Sequence, residues 1–322
     1  MESKKLIAIG EALIDFIPDK TGCAFGEVTS FSPKVGGAPA NVCGAFSKLG
    51  GRSMLITQLG NDPFGMKISD ELSECGIDTS AIRFTDEANT ALAFVSLAKD
   101  GNRTFSFYRK PSADMLLSPE QLEEKWFEGA YSLHFCSVSL GDFPMKNAHI
   151  KAIEIARKKG MLISFDPNLR FQLWNDKEKL RQRVNEFIPM CDILKISDEE
   201  LEFITGENDI ETAVPKLLDK GVKLIVFTCG KDGAYAYTQN AKVFSPAEKV
   251  KAVDTTGAGD GFIGSFLWKM QSLGIDCRNI CSADESALKD CLEFSNRFCA
   301  LSVQSKGAIA SYPTIDQITE TI

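Results

Sequence analysis

The chain has 322 residues, 44% of them apolar and 25% charged, which suits a packed core and excludes wholesale disorder. Asp plus Glu number 44 against 36 Lys plus Arg, a formal charge of -8, which argues against non-specific nucleic-acid or anionic-membrane binding but leaves room for a local basic pocket. With only 2 histidines, a histidine-based metal centre is not expected.

The N-terminal text MESKKLIAIGEALIDF interrupts its apolar run with Glu11 and Asp15, so 5–10 reads as a first core strand rather than a secretion signal. Residues 22–33 are polar and broken, with Phe25, Val28 and Phe31 spaced through them. Gly36-Gly37-Ala38-Pro39-Ala40-Asn41 then opens a helix over 41–49, which two glycines stop, and 53–59 is a strand. A helix over 64–75 closes with Gly76 in the C′ position. Residues 90–98 and 103–109 alternate about Asp100-Gly101, a strong hairpin signal. Leu92, Phe94, Phe105 and Phe107 would give that hairpin one apolar face that must pack somewhere.

Beyond Pro111 the pattern changes. Strands are expected over 131–136, 162–166, 193–196 and 224–228, and helices over 147–159, 177–187, 199–205 and 209–220. A second hairpin joins 234–239 to 241–246, and helices over 257–272 and 286–299 follow. Short apolar strands, each followed by a helix, imply a mostly parallel sheet covered on both faces. The expected fold class is therefore α/β. A single three-layer domain over 1–322 would carry a small β-sheet lid built from about 12–35 and 90–110. No stretch reaches roughly 18 uninterrupted apolar residues, so no membrane span is expected. The 10 cysteines are scattered, several in apolar runs (Cys43, Cys136, Cys191, Cys229), and no CxxC pair occurs; free thiols in a reducing cytoplasm are expected.

The sharpest segment is Asp254-Thr255-Thr256-Gly257-Ala258-Gly259-Asp260-Gly261-Phe262, entered from a strand-like Val250–Val253. Glycines at 257, 259 and 261 leave the backbone uncovered where a helix begins, and its unpaired N–H groups and dipole favour an anion. Asp260, in the first turn, could take a proton from an attacking hydroxyl while the amides hold developing charge. The bland alternative is an ordinary glycine-rich helix start with Asp260 complementing the dipole. A dinucleotide fingerprint is absent at the first strand, where Gly10 stands alone. A Walker motif is also absent, because Gly230-Lys231 is followed by Asp232.

The DTTGAGD run closely resembles the C-terminal motif of the ribokinase-like, or PfkB, carbohydrate kinases. GGAPAN (36–41) and GEALID (10–15) resemble the family's N-terminal motif and first strand, and the likeness extends from residue 5 to about Pro313. Within the family the chain is most similar to fructokinases, from GEALIDF, GGAPANV, FYRKPSAD (107–114), FDPNLR (165–170) and KISDEEL (195–201). The resemblance implies a ribokinase-like α/β/α fold and ATP-dependent phosphorylation of a sugar, D-fructose at its 6-hydroxyl, with magnesium and a potassium ion. It makes Asp260 the base and the amides of Gly257, Ala258 and Gly259 the anion hole. Asp15 and Asn41 would bind sugar hydroxyls beside the Gly36-Gly37 backbone. Tyr108 and Arg109 would close over the sugar, with Arg109 touching it or neutralising phosphate and Asp114 orienting the lid.

On the same resemblance, Asn168 and Arg170 belong to the substrate and metal side of the phosphates. The family's Asn-x-x-Glu magnesium motif falls on Ser197 and Glu200, which leaves Glu200 as a water-mediated contact, and Lys195 would reach toward phosphate. Thr228, Gly230 and Gly233 match the nucleotide-phosphate loop, while Asn296, Ala300 and the Gly307-Ala308 turn match an adenine wall. Asp254 and the 302–307 turn would hold the potassium ion. Paired lids would give a homodimer. The rival readings are a kinase for 2-keto-3-deoxygluconate, ribose or a nucleoside, and a non-catalytic sugar or nucleotide sensor; an aspartate retained beside the glycines argues against the sensor.

Overall fold

The computed structural model describes residues 4–20, 22, 25–97 and 103–319. The first half runs β1 (Leu6–Ile9), β2 (Leu13–Pro18), β3 (Phe31–Gly36), α1 (Ala38–Lys48), β4 (Ser53–Gly60), α2 (Pro63–Glu74), β5 (Ile77–Asp78), β6 (Ile82–Thr85), β7 (Leu92–Leu97) and β8 (Arg103–Tyr108). Then come β9 (Ser132–Cys136), α3 (Pro144–Lys158), β10 (Leu162–Asp166), α4 (Lys177–Phe187), β11 (Ile193–Ser197), α5 (Asp198–Thr205), α6 (Ile210–Asp219) and β12 (Leu224–Thr228). The chain closes through β13 (Ala234–Tyr237), β14 (Lys242–Ser245), α7 (Ala258–Ser272), α8 (Glu285–Ser302) and α9 (Ile315–Thr319).

The main sheet has the order β14-β13-β12-β11-β10-β9-β1-β4-β5, with β6 also on β4. From β12 to β5 every neighbouring pair is parallel, and β13 and β14 join as antiparallel strands at one edge. Its strands carry apolar side chains on both faces, as a doubly covered parallel sheet requires. In β12, Leu224 and Val226 face the core shared with α1, α7 and α8. Ile225 and Phe227 of the same strand face the core shared with α3, α4 and α6. The result is a three-layer α/β/α arrangement. A second sheet, β3-β2-β7-β8, forms the lid.

Several boundaries differ from the expectations. Helix α1 begins at Ala38, three residues before Asn41, because Gly37 (φ 116) turns the chain and Pro39 suits the first turn. Proline does the same for α3, which starts at Pro144 rather than at 147. Val250–Val253 is not a strand; both valines are exposed, and the amides of Val253 and Asp254 bond instead to the Val303 carbonyl. The short strands β5 and β6 were not expected. Asp100-Gly101 lies outside the described residues, as does the Phe105 side chain.

The lid's register also corrects its apolar face. Leu92 opposes Tyr108 and Ala93 opposes Phe107, so Phe107 shares a face with Ala93, not with Leu92 and Phe94. Asp15 opposes Ala93, which puts Asp15 and Phe107 on one face; Ile14, Phe16, Leu92, Phe94 and Tyr108 take the other. Phe16 meets Phe64 of α2 edge-on at 5.7 Å, so the second face is partly covered by a helix.

Candidate active site

The C-terminal ends of β10, β11 and β12 lie side by side, so the segments that leave them share one rim of the sheet. Such a rim is where open α/β sheets bind ligands. Helix α7 points its start at this rim. Gly257, in the left-handed region (φ 73), ends the 254–257 loop, and no side chain caps the helix. A Cβ at Gly257 would meet the Ala308 Cβ and the Tyr312 hydroxyl at 2.7 Å each, so only glycine fits. Tyr312 donates to the Gly257 carbonyl at 2.7 Å and fixes this turn from the far side.

Asp260 stands in the first turn of α7 and is 6% exposed. Both of its oxygens are held by amides: Asn41 Nδ2 donates to Oδ2 and Asn168 Nδ2 to Oδ1, each at 2.8 Å. The first contact depends on how closely α1 and α7 cross. A Cβ at Gly264 of α7 would lie 2.7 Å from the Ala45 Cβ and 2.8 Å from the Val42 carbonyl of α1. The second depends on the turn after β10, where Asn168 adopts φ 46, a conformation that asparagine tolerates. Burial pushes the Asp260 carboxyl up to about 6; Asp166 adds to this, while the Asn41 hydrogen bond and the charges of Arg170 and Lys195 oppose it. A carboxylate so tuned is ionised at neutral pH yet a better proton acceptor than an ordinary aspartate. Asn41 Oδ1 is buried without a hydrogen-bond partner, so an acceptor beside the base remains open to an incoming hydroxyl.

Lys195 is buried and donates to Asp166 Oδ2 at 2.9 Å. Burial lowers its pKa, but Asp166, Glu200 and Asp260 together outweigh that and raise it, so it stays cationic. A Cβ on Gly259 would lie 3.2 Å from its ammonium, which places a positive charge at the start of α7. Arg170 donates to the Leu169 carbonyl at 3.0 Å and adds its charge to the field at Asp260. This rim therefore combines helix amides, an ammonium and a guanidinium around one buried carboxylate, a set suited to moving a proton while stabilising a multiply charged anion.

Glu200 closes a capping box on α5. Oε2 accepts from the Ser197 amide and hydroxyl at 3.0 Å each, and Oε1 accepts from the Leu169 amide at 2.8 Å. It is a buried brace between the 166–170 turn and α5. Asp254 is a brace of similar kind: Oδ1 takes the Thr256 amide and hydroxyl, and Oδ2 takes the Gly307 amide at 3.0 Å. Among the described residues, no group of three or more His, Cys, Asp or Glu is arranged to hold a metal.

Next to the lid, Gly36 packs directly on the Asp15 carboxylate and Gly37 on the Glu11 carbonyl; a Cβ at either would collide. Arg109 and Tyr108, neighbours in sequence, have opposite surroundings. The Arg109 guanidinium is buried and ion-paired to Asp114, and it also donates to the Val138 carbonyl at 3.2 Å and the Ser139 hydroxyl at 3.1 Å. It anchors the lid root, with its donors turned into the protein rather than toward a ligand. Tyr108 is 65% exposed on the face opposite Asp15, edge-on to Phe94. Phe107 shares the Asp15 face.

On the remaining side, Thr228 ends β12, and Gly230 (φ 51) and Gly233 (φ 119) make the turn that follows. The Asn296 amide donates to the Ser245 carbonyl and hydroxyl at 3.0 and 2.9 Å, fastening α8 to the end of β14. Glu11 and Ser139 were missed altogether. Both are buried, and they link the lid root to α1.

Comparison with known proteins agrees with this geometry. The model of the pfkB family of carbohydrate kinases matches residues 3–315. A fructokinase-2 from Solanum habrochaites is 42% identical over 313 residues, covering 97% of this chain and 94% of its own. Among solved structures, a fructokinase from Xylella fastidiosa with bound ATP superposes with a TM-score of 0.91 at 31% identity, covering 99% of this chain and 98% of its own. A fructokinase double mutant from Vibrio cholerae, bound to fructose, ADP and potassium ion, gives a TM-score of 0.87 at 31% identity, covering 99% of each chain. The chain belongs to the pfkB family of carbohydrate kinases.

Proposed function

We propose that this protein is a fructokinase, transferring the terminal phosphoryl group of ATP to D-fructose at the 6-hydroxyl. The observation that carries the chemistry is Asp260, a buried carboxylate held through both oxygens by Asn41 and Asn168 at an uncapped helix start. Fructose is favoured because the similar Vibrio cholerae protein binds fructose and ADP, and because the Solanum habrochaites relative is a fructokinase.

The sugar lies between Asp15, Asn41 and the inner lid face, with its reacting hydroxyl at Asp260. The Asn41 and Asn168 amides fix the direction of the carboxylate and leave it free of any ion pair, so Asp260 takes the hydroxyl proton as the new P–O bond forms. The amides of Gly257, Ala258 and Gly259, with Lys195 and Arg170, hold charge on the phosphoryl oxygens. No group here forms a covalent intermediate; the gain comes from positioning and from fixed dipoles. Thr228, Gly230 and Gly233 line the run of the ATP phosphates.

Magnesium fits this chain only as an ion held by the nucleotide's phosphates and water. Both Glu200 oxygens already accept protein donors, and a hydrated ion suits magnesium chemistry. It would supply charge neutralisation on the phosphates. Both Asp254 oxygens likewise accept protein donors, so a monovalent cation beside the 303–307 turn would draw on a remaining lone pair of Asp254 and would stiffen the Gly257 amides. The nine described cysteines all carry free thiols, which supports work in a reducing cytoplasm. Phe25 and Tyr108, 46% and 65% exposed on the outer lid beside Phe31 and Phe94, support a homodimer closed through the two lids.

A coupled ADP-release assay with magnesium and a panel of fructose, ribose, 2-keto-3-deoxygluconate, glucose and adenosine tests the reading. Turnover selective for fructose, falling by about 1,000-fold in Asp260→Asn, is expected. Selective turnover on another compound moves the substrate, and binding without turnover leaves a sensor.

A further inference from the structure

Glu11 is 2% exposed, and the chemistry above does not use it. It follows β1 directly, between the main sheet and the lid. Its two oxygens point to different elements. Oε1 accepts from the Ala38 amide at 3.3 Å. That amide is the first of α1, whose N-cap residue, Gly37, has no side chain to offer. Glu11 thus caps α1 from 27 residues away. Three positions on in that helix is Asn41, which holds the base.

Oε2 accepts from the Ser139 hydroxyl at 3.0 Å, and the same hydroxyl accepts from Arg109 Nη2 at 3.1 Å. Arg109 follows the last lid strand, β8, and is pinned by Asp114. Every donor in this series points the same way. Arg109 donates to Ser139, Ser139 donates to Glu11, and Glu11 receives the α1 amide. The series joins the lid root to the helix that aims the base. We propose that Glu11 is a positioning residue that fixes the Asn41–Asp260 pair relative to the lid, so that the base points at the sugar hydroxyl only when the lid root is seated.

This inference rests on the kinase reading above. Nothing in the series reaches the nucleotide side, where β12 and the 228–233 turn lie three strands from β9. Glu11→Ala should therefore lower kcat and leave the KM for ATP alone. Ser139→Ala cuts only the link to the lid root and should raise the KM for sugar. The two residues act through one series, so their effects should not add.

The test is steady-state kinetics of wild type, Glu11→Ala, Glu11→Gln, Ser139→Ala and the Glu11→Ala/Ser139→Ala double variant, with melting curves alongside. Glu11→Ala is expected to lose about 10- to 100-fold in kcat with the KM for ATP within about twofold of wild type. Glu11→Gln, which keeps one acceptor for the Ala38 amide, should recover most of that loss. Ser139→Ala should raise the sugar KM by about fivefold, and the double variant should match Glu11→Ala within about twofold. Unchanged kcat in Glu11→Ala, or multiplying effects in the double variant, overturns the proposal. If Glu11→Ala does not fold, Glu11→Gln and Ser139→Ala decide: unchanged kinetics in both overturns it, and a sugar KM raised in Ser139→Ala with the ATP KM constant supports it. A wild type inactive on every sugar refutes the kinase reading instead, and that outcome is visible before any variant is made.

Discussion

Asp114, at the root of the lid, and Asp260, at the start of α7, are equally hidden from water, 1% and 6% exposed. Their partners differ. Asp114 lies against the buried Arg109 guanidinium and also accepts from the Ser112 hydroxyl, so its charge is neutralised in place. Asp260 has two neutral amides on its oxygens, with Lys195 and Arg170 near enough to be felt but bonded elsewhere. An ion pair fixes a carboxylate and blunts it as a base. A pair of amides fixes its direction and leaves it able to accept a proton. The first arrangement serves architecture and the second serves chemistry, and the contrast is drawn by partner type rather than by depth of burial.

Breaking each region should give opposite signatures. The largest effect on stability belongs to the lid root. Arg109→Ala strands a buried carboxylate and should cost about 3–5 kcal/mol, read as a shift in the urea midpoint. Asn168→Gly removes one amide from Asp260 while keeping a residue that tolerates positive φ. It should lower kcat by about 10- to 100-fold with a far smaller change in midpoint. If Arg109→Ala changed kcat alone, or Asn168→Gly changed stability alone, the contrast would collapse. Tyr108→Ala sharpens it from outside. On the exposed lid face it should change stability by less than about 0.5 kcal/mol and leave kcat unchanged, while in light scattering it weakens any dimer.

The same contrast marks what could be read in the sequence. Strands such as Leu224–Thr228 announce themselves because a doubly covered sheet needs apolar side chains on both faces. The start of α7 is legible because glycines at 257, 259 and 261 leave amides bare in a pattern few other purposes require. Contacts across long separations are not legible. Asn168 meets Asp260 from 92 positions away, and nothing local to either predicts the meeting. Glu11 registers in the sequence only as an interruption of an apolar run, yet it is buried because its partners arrive from 27 and 128 positions away. The faces of the lid hairpin were hidden for a geometric reason. Alternation within each strand leaves the offset between the two strands open, and only the register of Leu92 with Tyr108 and of Asp15 with Ala93 puts Phe107 on the Asp15 face and Tyr108 on the other. The helix start at Ala38 was hidden because Gly-Gly-Ala-Pro reads as a turn until Glu11 is seen capping it.

The central claim is that Asp260, in its ionised form, takes the proton. Burial raises its carboxyl to about 6. Because the working form is the deprotonated one, activity should be full above that value and fall as pH drops through it. The most direct measurement is kcat at saturating fructose, ATP and magnesium between about pH 5 and 8, in wild type and in Asp260→Asn. An acid limb centred near 6 is expected in the wild type and, in the variant, a residual rate without that limb. A limb that survives in Asp260→Asn and also in Asp260→Asn/Glu11→Gln, which removes the buried Glu11 carboxyl raised to about 7, would mean that another group accepts the proton, and the assignment of Asp260 as the base would be wrong.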